Sequence, residues 1–386
     1  HWLYQNSELF RSLFDRGRDI ILERQGFDLR SILFSDGASQ EIGLDPNQTK
    51  VAQPALFLFE YGLAKYLEQC GCHADCYIGH SIGEFTAAAL AGVLTFDQAV
   101  TVVAARGSLM QSRPPGKMLA VKADRSQIEG LLSQDVCLAA VNAPDRLVLS
   151  GPESAIQATV DALAGEGIAS SILHTSHAFH SHMMKPIVAE FEALLASMDL
   201  QAPGIPIFST ATGALLEQEA TQASYWARQL RNPVLFADAV ASARAYYDDQ
   251  PIAFVEVGPG VALTSLVACQ NAEANNTIVS AAANCGSTED AIADISGCLN
   301  QLWVDGFSID WNAHFNPATD KISRTRLPGY AFSPDVHWLS AIPTHENSVP
   351  MPAGLSVPPQ TVIKEVTMSN EEHLQSVEQK LRSLLE

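Results

Sequence analysis

Ser81 lies at the centre of Gly79-His80-Ser81-Ile82-Gly83, a G-x-S-x-G sequence between the short apolar run Cys76-Tyr77-Ile78 and the small-residue run 85–91. A serine on a sharp strand-to-helix turn exposes its Oγ, and flanking glycines leave room for the bend. The backbone N–H of the next residue, Ile82, and the helix N-terminus behind it can stabilise an oxyanion. As a bare pattern the motif also fits an ordinary βα turn. A serine at neutral pH needs a base, and four of the 11 histidines fall in His174-Thr175-Ser176-His177-Ala178-Phe179-His180-Ser181-His182. Zinc chelation by His177, His180 and His182 is the competing reading. Offsets of i, i+3 and i+5 do not share one helix face, and no acidic ligand is adjacent, so no metal site is expected. His80 reads as structural.

Arg106 stands near the end of the helix expected after this turn. It is either a cation complementing a helix C-terminus or a buried fork for a carboxylate, which guanidinium pairs bidentately. Cys70-Gly71-Cys72-His73 with Cys76 has no second knuckle and reads as idle or buried thiols. Gly258-Pro259-Gly260 suggests another tight turn and lacks dinucleotide-binding spacing.

These groups need elements to hold them. Residues 53–69 read as a buried helix, 76–78 as a strand, and Thr95 with Gln98 as a capping box opening a helix to about Met110. Residues 118–121, 136–141, 146–149 and 168–173 are strand-like, with helices over 125–132 and 152–163. That βαββαβ order is the split pattern of a ferredoxin-like unit. Strands are also expected at 205–209 and 254–257. The fold class expected is therefore α/β, with a large α/β-hydrolase-like domain on a short parallel sheet interrupted by a small ferredoxin-like subdomain. The divisions are 1–116, 117–178 (small subdomain), 179–313, a following linker 314–340, a Pro-rich linker 341–370, and a helix 371–386 opening a further module or docking element. The opening stretch 2–16 looks helical, and a start on His1 reads as an excerpt from a longer polypeptide.

Composition narrows the function. Of 386 residues, 47% are apolar and 17% charged, enough for a sizeable core. A net charge of −20 repels phosphate backbones, so nucleic acid is not an expected partner. No apolar run suits a bilayer, and no leader pattern is present. Seven cysteines, an odd number, fit reduced thiols and a cytoplasmic location.

Several blocks together carry a resemblance: Gly79-His80-Ser81-Ile82-Gly83-Glu84-Phe85, Arg106-Gly107-x-Leu109-Met110-Gln111, Val141-Asn142-Ala143-Pro144 and His177-Ala178-Phe179-His180-Ser181. Tyr225-Trp226 through Asn232-Pro233-Val234, Val257-Gly258-Pro259-Gly260, and Leu327-Pro328-x-Tyr330-x-Phe332 with His337-Trp338 fit as well. In order and spacing the chain resembles the acyltransferase domain of modular type I polyketide synthases, relatives of malonyl-CoA:acyl-carrier-protein transacylases, over roughly residues 2–338.

The resemblance implies a ping-pong transfer. Ser81 attacks an acyl-CoA thioester, His180 serves as base and then acid, and the phosphopantetheine thiol of an acyl carrier protein takes the acyl group. It implies no bound cofactor, and as partners malonyl-CoA, the carrier protein and neighbouring domains, with a ketosynthase upstream. Ile82 would supply an oxyanion N–H, and the carbonyl at the position matching Gln229 would orient the histidine. Arg106 would hold the acyl carboxylate, with Gln53, His177, Phe179 and Asn142 completing the substrate set. His-Ala-Phe-His and Ile82 go with malonyl over methylmalonyl, since the Phe179 ring crowds an α-methyl group. Family members open on an apolar strand and a Gly-Gln-Gly-Ser-Gln loop, expected here upstream in the parent polypeptide. A basic rim of Arg113, Lys117 and Lys185 is expected to receive the polyanionic CoA. Two other readings remain. A serine hydrolase would draw its acid from Asp124, Asp135, Asp145 or Asp161; a scaffold fragment of a multienzyme would need none of these groups.

Overall fold

The helix expected at the front breaks at Ser7, whose extended backbone separates α1 (Trp2–Asn6) from α2 (Glu8–Gln25). The Ser7 hydroxyl caps α2 by accepting from the Phe10 N–H at 3.2 Å. The protein is described from a computed structural model covering residues 1–34, 44–248, 250–270, 276–284 and 287–315. After α3 (Leu29–Phe34) comes α4 (Thr49–Gln69), whose buried residues, among them Val51, Phe57, Leu63 and Leu67, occupy several faces, as its sequence demands. β1 (Tyr77–Ile78) then turns into α5 (Gly83–Leu90), and α6 (Phe96–Gln111) opens on the expected Thr95–Gln98 capping box. Gly107 lets α6 lie against the start of α4: a Cβ there would sit 2.9 Å from the Thr49 carbonyl oxygen. That crossing brings Gln53 to Arg106.

The small unit comprises β2 (Lys117–Val121), α7 (Arg125–Ile128), β3 (Cys137–Ala143), β4 (Arg146–Gly151), α8 (Glu153–Gly165) and β5 (Ser170–Ile172). The helix expected over 125–132 is one α turn followed by a 3-10 turn at Glu129–Leu131. The four strands form an antiparallel sheet in the order β3-β4-β2-β5. Leu119, Val121, Leu147 and Leu149 pack under Ile128, Ile156 and Leu163 of its helices. Met118, Ala140 and Val148, on the other face, meet Val234, Phe236, Val240 and Val267 of the large part. This face joins the two parts of the core.

The large part resumes with α9 (Lys185–Ala196), β6 (Ile207–Phe208), α10 (Ala223–Arg228), α11 (Phe236–Tyr246), β7 (Ala253–Glu256), α12 (Ala262–Gln270), β8 (Thr277–Ser280), α13 (Thr288–Val304) and α14 (Trp311–His314). The single short parallel sheet expected from the sequence occurs as two parallel pairs, β1 with β6 and β7 with β8. No ladder joins them among the described residues. Instead, an apolar cavity of about 240 Å³ runs between Tyr77 and Ile78 on one side and Phe254 and Val255 on the other. The parts of the linkers 314–340 and 341–370 beyond residue 315, and the helix at 371–386, lie outside the described residues. No helix among the described residues is long and apolar enough to cross a membrane.

Candidate active site

The turn after β1 is bent as a nucleophile elbow. At Gly79 a Cβ would lie 2.2 Å from the Glu84 backbone nitrogen, so only glycine lets the chain fold back this closely. Ser81 sits in the left-handed region at φ 52°, a strained conformation for a non-glycine residue. The first turn of α5 closes through Gly83 N–H to the His80 carbonyl (3.0 Å) and Glu84 N–H to that of Ser81 (3.2 Å). The Ile82 N–H, at the helix N-cap, donates to no described residue and is free for an oxyanion.

The Ser81 hydroxyl lies 2.7 Å from Nε2 of His180, 99 residues away. His180 is 4% exposed and also left-handed, at φ 55°, so both members of the pair are held in strained backbone. Its Nδ1 is 2.9 Å from the Asn232 carbonyl. A carbonyl only accepts, so Nδ1 carries the proton and Nε2 presents its lone pair to the serine. Burial, reinforced by the Arg106 charge, pushes the imidazole down to about 3 from its ordinary 6.5, which keeps it neutral. Asn232 thus replaces Gln229 as the main orienting carbonyl; the Gln229 carbonyl is a weaker backbone partner. The Gln229 side chain has another task, donating from Nε2 to the Ser81 carbonyl and to Glu84 Oε2, each at 3.1 Å. None of the four aspartates of the hydrolase reading hydrogen-bonds His180, and Asp135 is exposed. Asp124 caps α7, Asp145 pairs with Arg146, and Asp161 accepts from Gln157.

Arg106 is buried (1% exposed) and points inward from α6. Its Nη1 donates to Gln53 Oε1 at 2.7 Å and its Nη2 to Ser81 Oγ at 3.2 Å, while Nε finds no partner. The guanidinium lies 5.6 Å over the Phe85 ring. Among the described residues no ion pair holds it, burial drives it down to about 9 from 12.5, and its bonded donors go to Gln53 and Ser81 instead of the last carbonyls of α6. A buried fork with an unpaired Nε beside a serine hydroxyl has the chemistry to take up an anion.

The other expected residues divide. His177 is fixed between the Arg113 carbonyl (3.0 Å) and Ser176 Oγ (2.7 Å), and its ring is stacked with that of Phe179. Asn142 is taken up by His80, whose Nε2 meets Oδ1 at 2.8 Å, so it braces the elbow from β3. His182 meets Cys137 Sγ at 3.4 Å. The three histidines of the zinc reading thus serve three separate partners. No metal-ligating cluster occurs among the described residues.

Sequence reasoning missed the group beneath the elbow. Glu84 is fully buried and accepts from the Tyr225 hydroxyl, Thr210 Oγ1 (2.8 Å) and Gln229 Nε2. Thr210 also reaches the Gly79 carbonyl at 2.7 Å, so this network grips the elbow on both sides of His80. The available signal was a lone acidic residue heading an otherwise small and apolar helix.

Comparisons with known proteins identify the family. The acyl transferase domain model matches residues 1–288. The chain is 37% identical over 339 residues to the phenolphthiocerol synthesis polyketide synthase type I of Mycobacterium marinum, covering 87% of this chain and 16% of the relative. With the mycoketide-CoA synthase of Mycobacterium tuberculosis it shares 39% identity over 295 residues, 76% of this chain and 7% of the relative. The chain therefore spans only a small part of these curated relatives. Among solved structures, the acyltransferase domain from the second module of the salinomycin polyketide synthase superposes with a TM-score of 0.73 at 33% identity, over 86% of this chain and 75% of that one. A malonyl CoA-acyl carrier protein transacylase from Clostridium perfringens shares the fold, with a TM-score of 0.67 at 22% identity over 78% of this chain and 92% of that one.

Proposed function

The chain belongs to the acyl transferase domain family, in the form carried by type I polyketide synthases, and on that premise we propose that it moves a malonyl unit from malonyl-CoA through a Ser81 ester to the phosphopantetheine thiol of an acyl carrier protein. One observation carries the reading: Ser81 Oγ meets both His180 Nε2 at 2.7 Å and the buried Arg106 Nη2 at 3.2 Å. Base, nucleophile and carboxylate receptor converge on one atom.

Ser81 Oγ attacks the thioester carbonyl as its proton passes to Nε2 of His180, and the CoA thiolate leaves with that proton. The Ile82 N–H and the α5 N-terminus face the developing oxyanion. In the second half the carrier thiol gives its proton to His180 and attacks the ester, and Ser81 Oγ recovers the proton on leaving. The acyl carboxylate pairs with Arg106, which fixes the chain beside the serine. The Phe179 ring, stacked with His177, narrows the space next to an α-substituent and favours malonyl over methylmalonyl. Arg113, Lys117 and Lys185 are the proposed rim for CoA.

The finer fold reading belongs here too. The strand order β3-β4-β2-β5 supports a ferredoxin-like small subdomain. The apolar cavity between β1 and β7 suits an added strand in an α/β-hydrolase-like parallel sheet. A ketosynthase neighbour and a cytoplasmic setting are part of the same proposal. The test is transfer: malonyl-CoA, the chain and a phosphopantetheine thiol should give the malonyl thioester, and Ser81→Ala should abolish it. Equal transfer by that variant refutes the reading.

A further inference from the structure

Ser81 Oγ is engaged twice. It donates to His180 Nε2 (2.7 Å) and accepts from Arg106 Nη2 (3.2 Å). On its other side the guanidinium is held by Gln53, whose Oε1 takes Nη1 at 2.7 Å. Gln53 is only 7% exposed and is fixed in turn by donating Nε2 to Met110 Sδ at 3.2 Å. Among the described residues no carboxylate hydrogen-bonds Arg106, and its Nε has no partner there. The cation proposed to clamp an acyl carboxylate therefore bonds the serine itself.

We propose that Gln53 is a positioning residue that parks Arg106 on Ser81, so that the Ser81–His180 pair is restrained until a substrate carboxylate draws the guanidinium away. This rests on the roles given above to Ser81, His180 and Arg106. Two effects make the parked state less reactive. The Nη2 hydrogen bond occupies an Oγ lone pair needed for attack, and the positive charge opposes protonation of His180. The charged and titratable groups facing His180 are Arg106 from α6 and His80 from the elbow, beside neutral Ser81 and the Asn232 and Gln229 carbonyls; Glu84 of α5 faces Arg106. A carboxylate removes both restraints at once, by taking the donors and cancelling the charge. Donors without a carboxylate then meet a weaker nucleophile, so discrimination operates in the chemical step as well as in binding.

A carboxylate-free probe reads the restraint directly. With 4-nitrophenyl acetate, Ser81 Oγ forms a bond to the acetyl carbon, its proton goes to His180, and 4-nitrophenolate leaves as the aryl ester bond breaks. Acetylation of the Ser81 peptide is followed by mass spectrometry across pH. Gln53→Leu removes the Oε1 acceptor with almost no change in volume and so takes away the hold that keeps Nη2 on Ser81. It should raise the acetylation rate about threefold or more, because the rate of a base-assisted attack follows base strength with a fractional Brønsted slope. It should also move the acid limb upward toward the ordinary imidazole value, while malonyl loading falls. Gln53→Leu with an unchanged Tm and a wild-type or slower rate overturns the proposal. Should that variant fail to fold, Arg106→Met decides: faster acetylation supports the restraint, and an unchanged or slower rate overturns it. Wild-type chain that loads malonyl on Ser81 while neither variant speeds acetylation sinks the restraint alone. Failure of the wild type to load malonyl sinks the acyl-transfer reading itself.

Discussion

Replacing Arg106 by Met should make the protein more stable and less active. The guanidinium is 1% exposed and, among the described residues, hydrogen-bonds to Gln53 and Ser81. Those two bonds contribute roughly 1 kcal/mol each. Against them stands a charge buried without an ion-pair partner. The fall from 12.5 to about 9 corresponds to about 5 kcal/mol, at roughly 1.4 kcal/mol per unit. Glu84 does not depend on Arg106, since Tyr225, Thr210 and Gln229 satisfy it. Methionine fills similar volume beside Phe85 and leaves no charge to solvate. The variant should gain about 3 kcal/mol, a rise in Tm of roughly 4 °C at about 2.1 cal/mol/K of unfolding entropy per residue. Losing two charge-assisted bonds to the acyl carboxylate should lower malonyl kcat/KM by roughly 10²–10⁴-fold. Thermal melts and transfer kinetics on the same preparation measure both. A lower Tm with transfer kept within tenfold would refute the reasoning and make Arg106 a structural cation.

His180, held near 3 by burial and Arg106, is neutral in the fold, whereas the unfolded chain takes up a proton below about 6.5. Stability from this group is therefore complete above pH 6.5 and declines as pH falls toward 3. Urea titrations at pH 7.5 and 5 should show that loss in the wild type and less of it in His180→Asn. By the same argument kcat/KM for malonyl transfer should show no acid limb near pH 6.5, and one centred there would contradict this environment for His180. Phe179→Ala, which removes the ring stacked with His177, should raise the methylmalonyl-to-malonyl kcat/KM ratio by roughly 10–100-fold; an unchanged ratio removes Phe179 from substrate choice. Gly79→Ala places a methyl group 2.2 Å from the Glu84 nitrogen, so it should lower stability by more than about 2 kcal/mol. A wild-type Tm would show that the elbow tolerates the bulk.

Much of this site is local in sequence and was readable there. Ser81 is announced by its glycines and the runs on either side, the α6 start by Thr95 and Gln98, and His180 by its cluster. What escaped the sequence is long-range or has no side-chain signature. The bond from Arg106 to Gln53 joins residues 53 apart, fixed by a helix crossing that Gly107 permits. The Asn232 contact is through a backbone carbonyl, which any residue supplies, and the resemblance pointed three positions away. Asn142 reads as a substrate ligand in its motif but spends its Oδ1 on His80. The parallel sheet was expected whole. Its strands are two to four residues long, and such short runs carry no pattern stating which edges pair.

The central claim is that Ser81 carries an acyl group chosen by its carboxylate. The most direct measurement is rapid-quench mass spectrometry of the Ser81 peptide after exposure to equimolar malonyl-CoA, methylmalonyl-CoA and acetyl-CoA. Malonyl should dominate the labelled serine, with methylmalonyl second and acetyl least. Acetyl loading equal to or above malonyl, or malonyl carried elsewhere with Ser81 unlabelled, would contradict it.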